Sequence, residues 1–163
     1  AGYVVAAPFI GRLADIMAAR GMNLMAAQRR LLIATTLLYV ATWVPIVLAP
    51  GLLPLGAMYV LLFVMGISVS SASLVFGIAK DLFPANVSGL AIGLVNVTSI
   101  LGGAAMPPVV GWFIDRLTAA GIQGGTVYSK AMIPCLLAAA IGLALISMVG
   151  KPSGRRLRPG YPA

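Results

Sequence analysis

The sequence has little charge, and most of what it has is positive. Charged residues make up 9% of the 163 residues, whereas hydrophobic residues make up 61%. Three acidic residues stand against eleven basic ones. A typical soluble domain has about a quarter of its residues charged. The composition therefore excludes an ordinary soluble protein and indicates an integral membrane protein with a few helices.

The side chains that carry most enzymatic chemistry are absent or rare. There is no histidine, and the acidic residues Asp15, Asp81 and Asp115 lie outside the long apolar runs. The sequence has no phosphate-binding G-x-x-x-x-G-K-[ST] loop and no cluster of metal-binding residue types. We therefore expect no enzymatic activity, no cofactor and no bound metal. The single cysteine, Cys135, excludes an intrachain disulfide.

Long apolar runs are what the sequence does contain. A membrane helix needs about 20 residues to cross roughly 30 Å of hydrocarbon. Four runs are long enough and have no charged residue in their interior: 31–49, 55–79, 90–114 and 131–150. Residues 1–10 are also apolar, but as a helix they would cover only about 15 Å. We expect them to end a truncated transmembrane helix, which makes the chain the C-terminal piece of a larger protein. The predicted fold class is an all-α, polytopic transmembrane helix bundle.

The basic residues flank the apolar runs, and this arrangement predicts the orientation of the chain in the membrane. Nine of the eleven lie in segments on one predicted side: Arg12, Arg20, Arg29, Arg30, Lys80, Lys151, Arg155, Arg156 and Arg158. Because cytoplasmic segments carry the excess of Lys and Arg, that side is predicted to be cytoplasmic. Residues 11–30 then form a cytoplasmic loop and residues 151–163 a basic cytoplasmic tail. The net charge of +8 accordingly favours contact with membrane lipids over a nucleic-acid partner.

Two of the predicted spans carry small and polar residues along one face. Span 55–79 has Gly66, Ser70, Ser73 and Gly77, and span 90–114 has Gly93, Asn96, Gly103, Pro107 and Gly111, with Gly89 just before its start. Small residues allow close approach between membrane helices, so both faces are expected to contact protein or a cavity. Two interpretations stay open for the polar members. In one interpretation these side chains line a polar cavity, and in the other they only join helices. The residues concerned are Ser70, Ser73, Asn96 and Ser99.

Local sequence also predicts where helices begin, end and bend. Asn23 is expected to cap the helix that follows it, and Pro84 is expected to lie outside a continuous helix. Pro107 and Pro108 remove two backbone donors from the third span, which predicts a kinked or loosened helix flanked by Gly103 and Gly111. Such a break is typical of a helix that moves, or of a static kink that shapes packing.

Two stretches of the chain resemble one known family. The run GRLADIMAAR, residues 11–20, resembles the signature loop G-x-L-A-D-R-x-G-R-R of the major facilitator superfamily. Five positions match (Gly11, Leu13, Ala14, Asp15 and Arg20), and Ile16, Ala18 and Ala19 depart from it. This form is typical of the second copy of the loop, between the eighth and ninth helices. The segment FPANVSGLAIGLVNVTSILGGAAMPPVVGWFID looks like the eleventh helix of the family. The resemblance implies part of the C-terminal six-helix half, with residues 1–10 ending the eighth helix.

The resemblance also implies a function. Members of the family are secondary transporters, symporters or antiporters, in which two six-helix halves rock around a central site. By that resemblance Gly11 permits a tight loop, while Asp15, in a loop with Arg20, latches the cytoplasmic side against a helix of the N-terminal half. That half, a small-molecule substrate and membrane lipids are the implied partners, in a bacterial inner membrane. The alternative for Asp15 is that it caps or solvates a loop.

The substrate is not specified by the sequence. The absence of charge in the spans favours an organic anion or another metabolite held by charges in the other half. The alternative to a transporter is a small four-helix membrane scaffold or assembly protein without transport activity.

Overall fold

The computed structural model describes residues 2–49 and 52–148, and these ranges are helical with short connections and no strand. Its helices are α1 (Gly2–Ala19), α2 (Leu24–Leu48), α3 (Leu55–Val69), α4 (Ala72–Leu82), α5 (Ala85–Ala119), α6 (Gly125–Ala131) and α7 (Ile133–Met148). The predicted basic tail at 151–163 and the last two residues of the predicted span 131–150 lie outside the described residues.

Within the described residues, five helical stretches are long and apolar enough to cross a membrane, one more than the four predicted. They are Gly2–Ala19, Leu24–Leu48, Leu55–Lys80, Ala85–Ala119 and Gly125–Met148. An all-α chain with several candidate membrane helices is thereby confirmed. The additional helix is α1, which continues past residue 10 to Ala19; that residues 1–10 belong to a truncated helix stays a prediction.

The predicted loop at 11–30 is a four-residue connection, because both neighbouring helices extend into it. Helix α1 continues to Ala19 and α2 begins at Leu24. Ala6, Ile10 and Ala14 recur every four residues along α1 and are buried, while the charged residues of the helix lie on its exposed side. A helix with one buried face accommodates charge on the other face, so the charges do not end the helix.

The turn between α1 and α2 is fixed by a glycine and an asparagine. Gly21 has φ of 90°, a left-handed conformation that costs glycine little. The N–H of Met22 then donates to the carbonyl of Met17 at 3.4 Å, which is the six-to-one bond of a Schellman motif. Asn23 accepts from the N–H of Met25 at 2.9 Å, which confirms it as the cap of α2.

The remaining boundaries follow the proline positions. Pro54 precedes α3 as its N-cap residue, and Pro84 does the same for α5, which confirms that Pro84 lies outside a continuous helix. The short connection between α2 and α3 makes these helices packed neighbours. Residues 90–114 were predicted as one span and lie within the longer α5.

The packed part of the molecule is formed by the first four helices together with α7. Helix α1 contacts α2, α3 and α4, and α7 packs along α2. Ile10, Ala14 and Leu74 form the buried cluster at the centre, with Leu31 against it. A guanidinium N–H of Arg29 donates to the carbonyl of Ser147 at 2.9 Å and joins the start of α2 to the end of α7.

Helix α5 has a different environment from the packed helices. Its contacts are mainly with α4 and α6, its neighbours along the chain. None of its residues is buried, although it has 35 residues and is the longest helix described. The chain therefore places a complete candidate membrane helix beside its core rather than inside it.

Candidate functional site

The residues that match the signature run lie on α1 and its end. Gly11 is in the interior of the helix, and no atom lies within 4 Å of the position that a Cβ would occupy there. The prediction that Gly11 permits a tight loop was therefore wrong, because the chain does not turn at that residue. The turn belongs to Gly21, one residue after Arg20.

Asp15 is exposed on the same helix, next to the buried Ala14. It does not cap a loop, since the helix continues for another turn to Ala19. Within the described ranges its carboxylate has no hydrogen-bond partner. Its place near the α1–α2 connection leaves the carboxylate open to a group outside this chain. A latch through Asp15 stays a prediction.

The small-residue stripe predicted on span 55–79 is covered by other helices. A Cβ added to Gly66 would lie 3.3 Å from the backbone nitrogen of Tyr3, so α1 and α3 approach closely at this point. At the other end of the stripe, the side-chain nitrogen of Gln28 would lie 3.6 Å from a Cβ on Gly77. Ser70 between them is fully buried. The expectation that this face contacts protein is confirmed.

The same span contains an interruption that the sequence pattern did not reveal. Within the stretch Leu55–Lys80, α3 ends at Val69 and α4 begins at Ala72. At the interruption the N–H of Ser70 donates to the carbonyl of Ile67 at 3.1 Å. The N–H of Ser73 donates to the carbonyl of Ser70 at 3.3 Å. These bonds span three residues instead of four, so the chain tightens into a 3₁₀-like turn within a membrane helix.

A cleft of about 210 Å³ opens beside the interruption, between α2 and the α3–α4 pair. Its lining includes four hydroxyl-bearing side chains: Thr36, Tyr39, Ser68 and Ser71. Ser68 and Ser71 are 2% and 4% exposed. Sequence reasoning selected Ser70 and Ser73 and missed these four. The available signal was the density of serines: four of the six residues from 68 to 73 are serine, and the face selected from the sequence included only two of them.

The polar residues predicted on the third span do not join this cleft. Asn96 and Ser99 lie on α5 and are exposed, and the Ser99 hydroxyl donates to the carbonyl of Val95 at 2.8 Å. No atom lies within 4 Å of a Cβ position at Gly93 or Gly103. The expectation that this face contacts protein is therefore not met within the described chain. The α5 stripe and the α3–α4 stripe are two separate polar surfaces.

The proline pair does not interrupt α5. The helix runs from Ala85 to Ala119 with Pro107 and Pro108 inside it. Since proline has no N–H, the carbonyls of Gly103 and Ala104 lose the donors that a regular helix supplies from four residues ahead. Both residues are small, which leaves room for the proline rings. Gly111, one turn further on, also has open space around its Cβ position.

A second cavity, of about 410 Å³, lies at the opposite end of α2 from the signature run. Its lining is mainly apolar and comes from α2, α3, α6 and the adjoining connections, with Met58, Tyr128 and Met132 among its members. The hydroxyl of Ser129, also in the lining, donates to the carbonyl of Gly125 at 3.2 Å.

No three His, Cys, Asp or Glu side chains come together as a metal site in residues 2–49 and 52–148. The chain was compared with protein-family models, curated proteins and solved structures, and it matches none of them. The geometry of the chain therefore carries the functional argument without support from relatives.

Proposed function

We propose that this chain is part of a secondary active transporter that moves a small solute across a membrane by alternating access. The observation that carries the proposal is the uncovered stripe of α5. An amide such as that of Asn96 is costly in hydrocarbon unless it has a partner or water. Asn96 is exposed in the chain. A stripe with this amide and several glycines suits a water-filled path or a second group of membrane helices.

The interrupted span gives a second line of support. Transporters commonly place discontinuous helices at their binding sites, where the broken backbone and small polar side chains meet the cargo. The interruption at Ser70 and Ser71 lies well inside the stretch Leu55–Lys80. Both serines are buried. Hydroxyl groups at this depth are therefore held in place by protein rather than directed to lipid.

The finer assignment rests on the resemblance of residues 11–20 to the major facilitator signature. On this assignment the chain belongs to the C-terminal half of such a transporter in a bacterial inner membrane, with its C-terminus in the cytoplasm. Helix α5 faces the N-terminal half, and Asp15 latches to that half when the cytoplasmic side closes. An organic anion or another metabolite is the preferred substrate class. Its charge would be met by groups outside this chain, because no charged residue lies inside the predicted spans.

The test is the water accessibility of α5 in the natural-length protein. Asn96→Cys is made in a Cys135→Ser background and treated with a membrane-impermeant maleimide in right-side-out and inside-out vesicles. Alternating access predicts labelling of position 96 from both sides, because the path opens to each side in turn. Leu94→Cys is the matched control. It lies about 200° around the helix from residue 96, and we expect it to face lipid and stay unlabelled.

A static scaffold gives a different result. In a scaffold, position 96 is either sealed by a partner helix, and so unlabelled from both sides, or open to one side only. Either pattern would reject the transporter proposal and favour the assembly protein.

A further inference from the structure

We propose that the cleft between α2 and the α3–α4 interruption binds a small neutral ligand that donates hydrogen bonds, of the alcohol or polyol class. The proposal concerns binding at this cleft and goes beyond the transport function. It holds whether the ligand is cargo or a bound regulator.

Three of the hydroxyl groups in the lining donate hydrogen bonds to the backbone. The hydroxyl of Thr36 donates to the carbonyl of Leu32 at 2.7 Å. The hydroxyl of Ser68 donates to the carbonyl of Val64 at 2.9 Å, and that of Ser71 to the carbonyl of Ser68 at 3.0 Å. Each hydroxyl has one proton and two lone pairs. All three protons are thus committed to the backbone, and what these groups offer a ligand is acceptor oxygen.

The lining of the cleft has no charged side chain. Its lining consists of Leu32, Thr36, Tyr39, Ser68, Val69, Ser71, Ala72 and Val75, none of which is charged. An anion would meet acceptor oxygens with only the Tyr39 hydroxyl left to donate. A full cation would have no carboxylate to neutralise it at a depth where uncompensated charge is costly. A neutral group with its own O–H or N–H donors fits both conditions.

The cleft is small, and two of its lining residues are nearly fully buried. The cleft measures about 210 Å³, and a water molecule takes about 30 Å³ of liquid volume, so the space equals roughly seven waters. A ligand with about six or seven non-hydrogen atoms therefore fits within it. Ser68 and Ser71 are nearly fully buried on the tight turn, so their oxygens are held in fixed positions before a ligand arrives. Such preorganisation reduces the entropy lost on binding.

The test uses glycerol as the probe, because its size and its three donors fit these conditions. The indole of Trp43 lies edge-to-face with the ring of Tyr39, with 6.2 Å between the ring centroids, and reports on the cleft. The chain has two tryptophans, so a Trp112→Phe background in lipid nanodiscs leaves Trp43 as the single tryptophan. Saturation-transfer NMR of the glycerol protons gives a second, fluorescence-independent signal. Methylammonium chloride and sodium acetate are the cationic and anionic comparators.

We expect saturable binding of glycerol and no saturable binding of the two ions. Ser71→Ala removes one acceptor oxygen, and Thr36→Val replaces another with a methyl group of similar shape. Each variant is expected to weaken apparent affinity roughly fivefold, the effect of one neutral hydrogen bond. Thr98→Val is the matched control, since the Thr98 hydroxyl donates to Leu94 at 2.8 Å in the same manner but lies exposed on α5.

Two results would overturn the proposal: a general solvent effect of glycerol and saturable binding of acetate. A glycerol response that stays linear, or one that Thr98→Val reduces as much as Thr36→Val does, shows a general solvent effect. Saturable acetate binding would show that the cleft supplies donors instead of acceptors. Ser71→Ala lies at the interruption and could lower the helicity of the chain. Thr36→Val still tests the proposal in that case, because the Thr36 hydrogen bond lies within one continuous helix.

Discussion

Two faces with the same kind of composition have opposite surroundings in this chain. The stripe that runs along α3 and α4 and the stripe along α5 both combine glycine with short polar side chains. Gly66 in the first has the backbone of Tyr3 at contact distance, whereas Gly93 in the second has open space. The comparison shows that a small-residue stripe indicates a contact surface but does not say whether the partner belongs to the same chain.

The two regions also differ in what stabilises them. In the packed helices, side chains such as Ile10, Ala14 and Leu74 are buried against one another. Helix α5 has no buried residue, so within this chain its stability depends mainly on its own hydrogen bonds and on the intrinsic preferences of its residues. Substitutions of the same type should therefore have different effects in the two regions.

The largest difference is expected for a bulky residue on each stripe. Gly66→Leu places atoms where even a Cβ would be 3.3 Å from the Tyr3 nitrogen, and overpacking of this kind costs about 3 kcal/mol. Gly93→Leu, the matched change on α5, meets no atom within 4 Å and should not destabilise the chain. The free energies of unfolding of the two variants are compared by denaturant titration in detergent micelles, with circular dichroism as the signal. An equal loss of unfolding free energy in the two variants would show that α5 is packed against other helices at Gly93.

The next effect tests whether α5 responds to local backbone chemistry. Pro107→Ala restores a donor to the carbonyl of Gly103 and should stabilise the helix by about 2 kcal/mol, part of the cost of an interior proline. Amide hydrogen exchange between residues 103 and 111 should slow accordingly. Met106→Ala, one residue away, changes no backbone bond and should leave exchange unaltered. If the amide exchange rates are unchanged in Pro107→Ala, the stability of this segment is set by the groups around it and not by the proline.

A smaller effect is expected where a single side chain joins two packed helices. Arg29→Gln removes the hydrogen bond to the carbonyl of Ser147 and should destabilise the chain by about 1 kcal/mol, with faster amide exchange at the end of α7. Arg30→Gln is the control, because Arg30 is exposed beside it. If the two variants behave alike, the bond between α2 and α7 contributes nothing measurable.

The smallest effect has the opposite sign. Gly93→Ala should stabilise the isolated chain by about 0.5 kcal/mol, because glycine inside a helix is less favourable than alanine and the added methyl group has room. If the chain is part of the proposed transporter and a second group of helices packs on this stripe, the same change should reduce transport by the whole protein. Stabilisation without loss of transport would indicate that the stripe faces lipid.

Local features of this fold were predictable from the sequence. The cap at Asn23 and the helix start after Pro84 depend on the chemistry of one or two residues, and such chemistry acts in the same way in most settings. The extent of α1 was not predicted, since Arg12 and Asp15 lower the apolar character of the run without breaking its hydrogen bonds. Hydropathy reports on solvent preference, whereas helix ends are set by backbone bonding.

The candidate site was less predictable than the fold. The interruption at Ser70 and Ser71 contains no glycine or proline, and it arises where serine hydroxyls bond back to the preceding turn. Whether Ser68 or Ser73 faces the cleft depends on how α2 packs against the turn. The residue spacing along one helix carries no information about that packing. For the same reason, the open environment of Asn96 became visible only once the contacts of α5 were known.

The length of α5 has a mechanical consequence. At 1.5 Å per residue, its 35 residues extend about 52 Å, well beyond the roughly 30 Å of the hydrocarbon layer. A tilt of about 20°, usual for membrane helices, absorbs only a small part of that excess. At least one end must therefore project into the headgroups or water.

Near the C-terminal end of α5, the Arg116 guanidinium lies over the Trp112 ring at 5.2 Å. Such a pair is suited to the membrane interface, so it would hold that end at the lipid headgroups and thereby fix how deeply the spanning helix sits in the bilayer.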